Sequence, residues 1–160
     1  MRLFRHTSVY SMYQLLAQET LMQNIEYRIN QTISVEQFID LLTRSTLAAR
    51  RPLENTEQVQ RMLDHANLTV TAWDGDKLVG VARSSTDFSF YCYLSDLAVD
   101  ESYQRSGIGK MLVMLTRIVA GEEASLILLS APAAMEYYPK VGFEKLENAF
   151  AINNTFAKLR

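Results

Sequence analysis

A chain of 160 residues with 16 basic and 18 acidic side chains, net charge −2, lacks the basic excess that a nucleic-acid or anionic-membrane surface requires, so a small-molecule partner is favoured. Its hydrophobic content of 48% is that of an ordinary globular protein, at a length that suits one domain with a real core, and no segment reads as a membrane span. The single cysteine, Cys92, rules out an internal disulfide and a multi-cysteine zinc site and suits a reducing, cytoplasmic setting, while His6 and His65 are too few and too separated for a metal centre, so no metal is expected.

Residues 1–22 read as an N-terminal extension of uncertain role. Arg2, Arg5 and His6 precede the first acidic residue, Glu19, a pattern that fits a transit peptide, an amphipathic helix, or a natural start at Met22. The domain proper is expected over 23–160. Ile25, Tyr27 and Ile29 alternate with polar residues and predict a strand; Ser34-x-x-Gln37 is a capping box opening a helix with Val35, Phe38, Ile39, Leu41 and Leu42 at helical spacing. Arg50-Arg51-Pro52 breaks that pattern, the arginine pair being either solvated surface or a grip on an acidic ligand group. Asn55 or Thr56 then caps a second helix bearing Val59, Met62 and Leu63. Segments 68–73 and 77–83 flank Asp74-Gly75-Asp76 as a hairpin, and 90–99 is a further strand rich in aromatic and apolar residues.

The run Leu97-Ala98-Val99 feeds Gln104-Arg105-Ser106-Gly107-Ile108-Gly109-Lys110, after which Met111, Leu112, Leu115, Ile118 and Val119 fall at helical spacing up to Gly121. A glycine turn opening a helix presents backbone N–H groups without intrahelical partners at the positive end of the helix dipole, and glycines let a pyrophosphate approach the backbone. Arg105 and Lys110 add positive charge at the rim. No third glycine of a dinucleotide fingerprint and no Walker A spacing is present, which argues against hydride transfer and nucleotide hydrolysis. Residues 124–129 read as a short apolar strand, buried on both faces and parallel to the strand ending at Val99; 133–140 as a short helix with Pro132 near its first turn; and 143–152 as a closing strand or hairpin.

Gln104, Gly107 and Gly109 meet the Q/R-x-x-G-x-G/A signature, and Tyr137-Tyr138-Pro139-Lys140-Val141-Gly142-Phe143 a second block in the expected order, so the segment from Leu68 to Phe143 resembles the GNAT superfamily of acyl-CoA-dependent N-acetyltransferases. The resemblance implies an α/β GNAT fold, a mixed central sheet flanked by helices, whose splayed parallel strands hold acyl-CoA. It implies acetyl-CoA as co-substrate, bound by Leu97, Ala98 and Val99 along the pantetheine arm and by Gln104 to Lys110 at the pyrophosphate. It also implies transfer of acetyl to an amine by direct attack, the acceptor being a small molecule or, alternatively, a protein or peptide. A non-catalytic acyl-CoA sensor is the competing class, and a homodimer is an assembly the family allows.

Amide formation requires donors for the oxyanion and a proton or hydrogen bond for the departing thiolate. Tyr138 occupies the family's general-acid position, and a phenol with an unperturbed pKa of about 10 is protonated at neutral pH. Tyr137 is expected to be a packed neighbour. Asp96 is the best-placed carboxylate for a cationic amine or its proton, its other reading being a carboxylate that holds a loop. The family often places a glutamate on this strand, where Ser95 and Asp96 stand in this chain, which leaves the identity of the base open. Cys92, with no histidine near it in sequence, reads as a small buried thiol.

Overall fold

A computed structural model describes residues 24–151 of the chain. The expectations for residues 1–22 and for Ile152 therefore lie outside the described residues. The chain divides into two compact units, Met1–Leu129 and Ser130–Arg160.

In the first unit β1 (Ile25–Ile29), α1 (Val35–Arg44), α2 (Thr56–Asp64), β2 (Leu68–Asp74), β3 (Lys77–Thr86), β4 (Tyr91–Val99), α3 (Ile108–Ala120) and β5 (Ser125–Ile127) follow one another. One five-stranded sheet in the order β1-β2-β3-β4-β5 is antiparallel as far as β4 and parallel between β4 and β5. The helix starts follow the local chemistry. Ser34 Oγ accepts from the Gln37 N–H at 3.2 Å while the Gln37 side chain accepts from the Ser34 N–H at 2.9 Å, and Asn55 caps α2 by accepting from the Gln58 N–H.

Alternation along the strands sends successive side chains to opposite faces. On one face Trp73, Leu78, Val81 and Ala98 bury against Phe38, Leu41 and Leu42 of α1 and Val59 of α2. On the other, α3 lies so close to β3 that a Cβ at Gly80 would stand 3.0 Å from Leu112 Cδ1, 3.1 Å from Ile108 Cγ2 and 3.3 Å from Ala72 Cβ. Glycine is the residue that lets helix and strand approach to this distance. Because all three neighbours are buried and fixed, Gly80→Ala is expected to destabilise the fold by about 1–3 kcal/mol. It should also displace Ile108, the first residue of α3, and thermal melts read the loss of stability.

Two bulges shape the sheet. Between β2 and β3 the register slips at Ala72/Trp73, and between β3 and β4 Arg83 pairs with Asp96 while Ser84 pairs with Leu94, leaving Ser95 as an extra residue on β4. That bulge turns Asp96 toward the face covered by α1 and α2, away from the face of Leu94.

β5 is shorter and more exposed than the sequence pattern suggests. Only Ser125–Ile127 forms a strand, Ser125 and Ile127 are exposed, and its partners are Tyr91, Cys92 and Tyr93 at the start of β4. Beyond Tyr93 the two strands part, and among the described residues Leu94 to Val99 have no strand partner on that side. In the second unit 133–140 is not one helix but two 3₁₀ turns, Pro132–Ala134 and Tyr138–Val141, and no strand forms over 143–151. Pro139 supplies no N–H to continue the turn begun before it, and Gly142, in the left-handed region at φ 95°, ends the second one.

Candidate active site

The glycine turn lies where β4 ends. Val99 leads through Asp100 and a 3₁₀ turn over Glu101–Tyr103 to Gly107, which caps α3 at φ 88° with no side chain to satisfy the helix. The first bond inside the helix is from the Met111 N–H to the Gly107 carbonyl at 3.0 Å, so the N–H groups of Ile108, Gly109 and Lys110 have no intrahelical acceptor. Nothing stands within 4 Å of where a Cβ on Gly107 would be, which leaves room above the turn for a ligand. Arg105 is held at φ 64°, a conformation side chains rarely adopt, with its side chain exposed, as is that of Lys110.

Of the other residues singled out in this loop, two exposed side chains bond back to the backbone. Gln104 Nε2 donates to the Val99 carbonyl at 3.1 Å, and Ser106 Oγ donates to the Tyr103 carbonyl; both tie the loop to itself and to the strand end. Leu97 and Val99 lie on the β4 segment without a β5 partner, where backbone groups remain for an extended amide-bearing arm, the Val99 carbonyl already accepting from Gln104. These features suit acyl-CoA: an anion cradle at one end and an open strand edge leading from it.

Several residues that brace this loop escape a reading of the sequence alone. Asp100 is buried, accepts from the Ser102 N–H at 2.9 Å and pairs with Arg44 from the end of α1 and with Lys77 Nζ at 3.0 Å. Burial works to raise its pKa, but the hydrogen bonds from Lys77 and the Ser102 N–H, with the charges of Arg44 and Lys77, hold it below the usual carboxylate range. Lys77 also lies over the Tyr103 ring, whose hydroxyl donates to Asp74 at 2.7 Å. A carboxyl held low stabilises the fold fully above its unfolded pKa, and this contribution disappears as pH falls through the folded value. Asp100→Asn is therefore expected to flatten the acid limb of the stability curve and to raise KM for acetyl-CoA, checked by melts across pH and by steady-state kinetics.

Asp96 is not a free carboxylate. It is 1% exposed, and Arg51 Nε donates to Oδ1 and Arg83 Nε to Oδ2, each at 2.5 Å. The same arginines grip the bulge: Arg51 donates to the Ser95 carbonyl at 2.7 Å and Arg83 to Ser95 Oγ and the Met62 carbonyl, both at 2.9 Å. With both oxygens engaged by guanidinium groups, Asp96 holds the α1–α2 connection to β4. Of the two readings of Asp96, this pairing fits the carboxylate that holds a loop, and it draws Arg51 inward from the surface. A sequence signal existed in Arg83: an arginine directly after the apolar run from Leu78 to Ala82, on the same strand, needs a buried partner.

Cys92 is fully buried, and burial pushes its thiol up against a smaller downward pull from the Ser84 and Thr86 hydroxyls, so it lacks the thiolate character of a nucleophile. His65 sits alone at the end of α2, and among the described residues no three metal-ligating side chains come together. No described helix is long and apolar enough to cross a membrane.

In the second unit Tyr138 begins the 3₁₀ turn and is held edge-on between two rings, Tyr137 at 5.4 Å and Phe143 at 5.5 Å between centroids. Its carbonyl accepts from the Phe143 N–H at 3.1 Å, so the turn and the ring contacts fix the same residue. Burial, and then the neighbouring Tyr138, push the Tyr137 phenol up, which keeps it protonated and packed.

Comparison with known proteins agrees with this architecture. The family model described as an acetyltransferase (GNAT) domain matches residues 43–155. A GNAT-family acetyltransferase from Streptococcus pneumoniae superposes with a TM-score of 0.66 at 25% identity, covering 81% of this chain and 98% of that one. A GNAT-family N-acetyltransferase from Escherichia coli, solved in complex with CoA, gives a TM-score of 0.58 at 23% identity over 75% of this chain and 68% of that one. A protein named histone acetyltransferase from Glycine max is 30% identical over 70 residues, 42% of this chain but 30% of its own length. The chain thus matches less than a third of that curated relative.

Proposed function

The chain belongs to the GNAT acetyltransferase family, and we propose that it transfers acetyl from acetyl-CoA to the amine of a small molecule by direct attack. The observation that carries this reading is the continuity of two features: an anion-ready turn at Gly107 to Lys110 and an open β4 edge from Leu94 to Val99 that ends at it. The co-substrate supplies an activated acyl group as a thioester. The roles of the chain's own residues follow from their chemistry.

The N–H groups of Ile108, Gly109 and Lys110 face the pyrophosphate, with Arg105 and Lys110 adding charge. Leu97 and Val99 offer backbone partners to the pantetheine arm, Ala98 between them pairing with Val81 of β3, and a backbone N–H on this strand polarises the thioester carbonyl. Gln104 and Ser106 keep the loop in shape, and Asp100 anchors its start. Tyr138 is assigned as the proton donor to the departing thiolate. Asp96 is assigned as a positioning residue, and the attacking amine gives its proton to water. A cytoplasmic setting belongs to the same proposal, supported by the single, buried cysteine.

The test is release of CoA thiol from acetyl-CoA across amines, amino acids and short peptides, with mass spectrometry of the product. An acetylated amine is the expected result. Cofactor binding without thiol release on any acceptor would put the chain with acyl-CoA sensors, and acetylation of peptides alone would replace the small-molecule acceptor.

A further inference from the structure

The turn between β3 and β4 carries an apolar knob that acyl transfer does not use. Phe88 and Phe90, 47% and 78% exposed, stand at its tip, and Phe88 holds φ at 58°. A bulky side chain in the left-handed region is costly and persists only where its surroundings fix it. Here they do. Asp87 Oδ1 accepts from the N–H groups of Ser89, Phe90 and Tyr91 at 3.0, 2.8 and 3.0 Å, and Thr86 Oγ1 accepts from the Phe88 N–H at 3.0 Å while donating to the Tyr91 carbonyl at 2.6 Å. The Asn67 side chain, from the α2–β2 connection, bonds both the N–H and the carbonyl of Thr86. From the α3–β5 connection the Ser125 N–H donates to the Phe90 carbonyl at 2.9 Å, and a Cβ on Gly121 would stand 3.5 Å from the Phe88 carbonyl. Two rings are thus held out toward solvent on a turn braced from both sides, where a polar tip would serve a plain hairpin.

The charges that the two turns carry are of one sign. Asp87 is exposed, as are Glu122 and Glu123, which follow Gly121 in the turn beside the knob. The bonds from the Tyr91, Phe90 and Ser89 N–H groups hold the Asp87 carboxyl below its usual range, so it stays ionised. No lysine or arginine occurs between Arg83 and Arg105 or between Arg117 and Lys140, so neither turn neutralises these carboxylates from within. An anionic lipid surface is therefore repelled, and two copies meeting through this patch about a two-fold axis would set carboxylate against carboxylate. A surface with lysine or arginine around an apolar socket matches both the rings and the charge. Because the turn is fixed in advance, contact costs little further ordering of the chain.

We propose that Phe88 and Phe90 form a docking knob for a basic protein partner, whose apolar socket takes the two rings while its lysine or arginine side chains meet Asp87, Glu122 and Glu123. The contact is small, so the complex is a transient one. It involves none of the residues assigned to the cofactor, neither the Leu94 to Val99 edge nor the Gln104 to Lys110 loop, and docking and acyl transfer can be tested apart.

The probe is a random peptide library displayed on phage, selected against the whole chain, with the enriched peptides synthesised and titrated by fluorescence anisotropy. Peptides in which lysine or arginine flanks aromatic or aliphatic residues should be enriched. Phe90→Ser, and Phe88→Asn, which suits the same backbone conformation, should each weaken their binding by about 10-fold or more, and Glu122→Gln with Glu123→Gln, or added salt, should weaken it as well. The melting temperature of Phe90→Ser should match that of the parent, since the ring it removes is mostly in solvent. Enrichment of acidic or uncharged peptides, basic peptides that bind Phe90→Ser as tightly as the parent, or a selection that yields no binder overturns the proposal. Binding of phosphatidylcholine vesicles that Phe90→Ser abolishes overturns it in favour of a lipid surface, and a dimer in sedimentation that Phe90→Ser disperses overturns it in favour of a second copy.

Discussion

Tyr138→Phe should lower kcat by about 10²-fold with KM for acetyl-CoA nearly unchanged. The substitution removes one oxygen and keeps the ring, so the edge contacts with Tyr137 and Phe143, which hold the residue in its turn, are retained. The melting temperature should accordingly stay close to that of the parent. Loss confined to kcat identifies an interaction made as the thiolate departs, because a group that only bound the cofactor would raise KM instead. A better leaving group needs less help from an acid, so an acyl donor whose thiol has a lower pKa should narrow the gap between the two proteins. An unchanged kcat would remove Tyr138 from the chemistry.

The largest effect on stability is expected at Asp96. Replacing it by alanine leaves Arg83, 10% exposed in its side chain, and Arg51, 22% exposed, facing one another without a counter-ion. Breaking a buried pair from one side costs about 3–5 kcal/mol, much of it the cost of the stranded charge. Asp96→Asn keeps the shape and one acceptor oxygen and should lose less. The pH profile of the residual activity separates the two roles considered for this carboxylate. A positioning residue leaves the profile where it was and lowers the folded fraction; a general base would remove the limb set by its own ionisation while the fold survived. We expect the first result, read by denaturant titration alongside the profile.

The legible parts of this molecule were those fixed by neighbours in sequence. The capping box at Ser34 and Gln37, the Asn55 cap, the hairpin turn at Gly75 and the helix opened by Gly107 all depend on residues within a turn of one another, and each formed where its pattern stood. The family signature marked the loop from Gln104 to Lys110 for the same reason. The pairings of Asp96 and Asp100 could not be read this way. Their partners lie 45 and 56 residues away at Arg51 and Arg44, and the bulge at Ser95 that turns Asp96 inward depends on the register against β3. Gly80 left a fainter trace, a glycine within an otherwise apolar strand. The misread elements come late in the chain. Residues 124–129 are apolar enough for a buried strand, but β4 accepts only three of them before the strands diverge, and Pro139 divides what helical spacing alone would join.

The parting of β4 from β5 also bears on how the protein keeps company with itself. The outward-facing backbone donors and acceptors of Leu94 to Val99, with no strand on the β5 side among the described residues, can be completed by an extended segment of any chain, which makes them a template for self-association as well as a place for an amide-bearing arm. The two occupants compete. Whatever fills the edge as a ligand withdraws it from other copies by mass action, so solubility at high concentration should be linked to the supply of acyl-CoA.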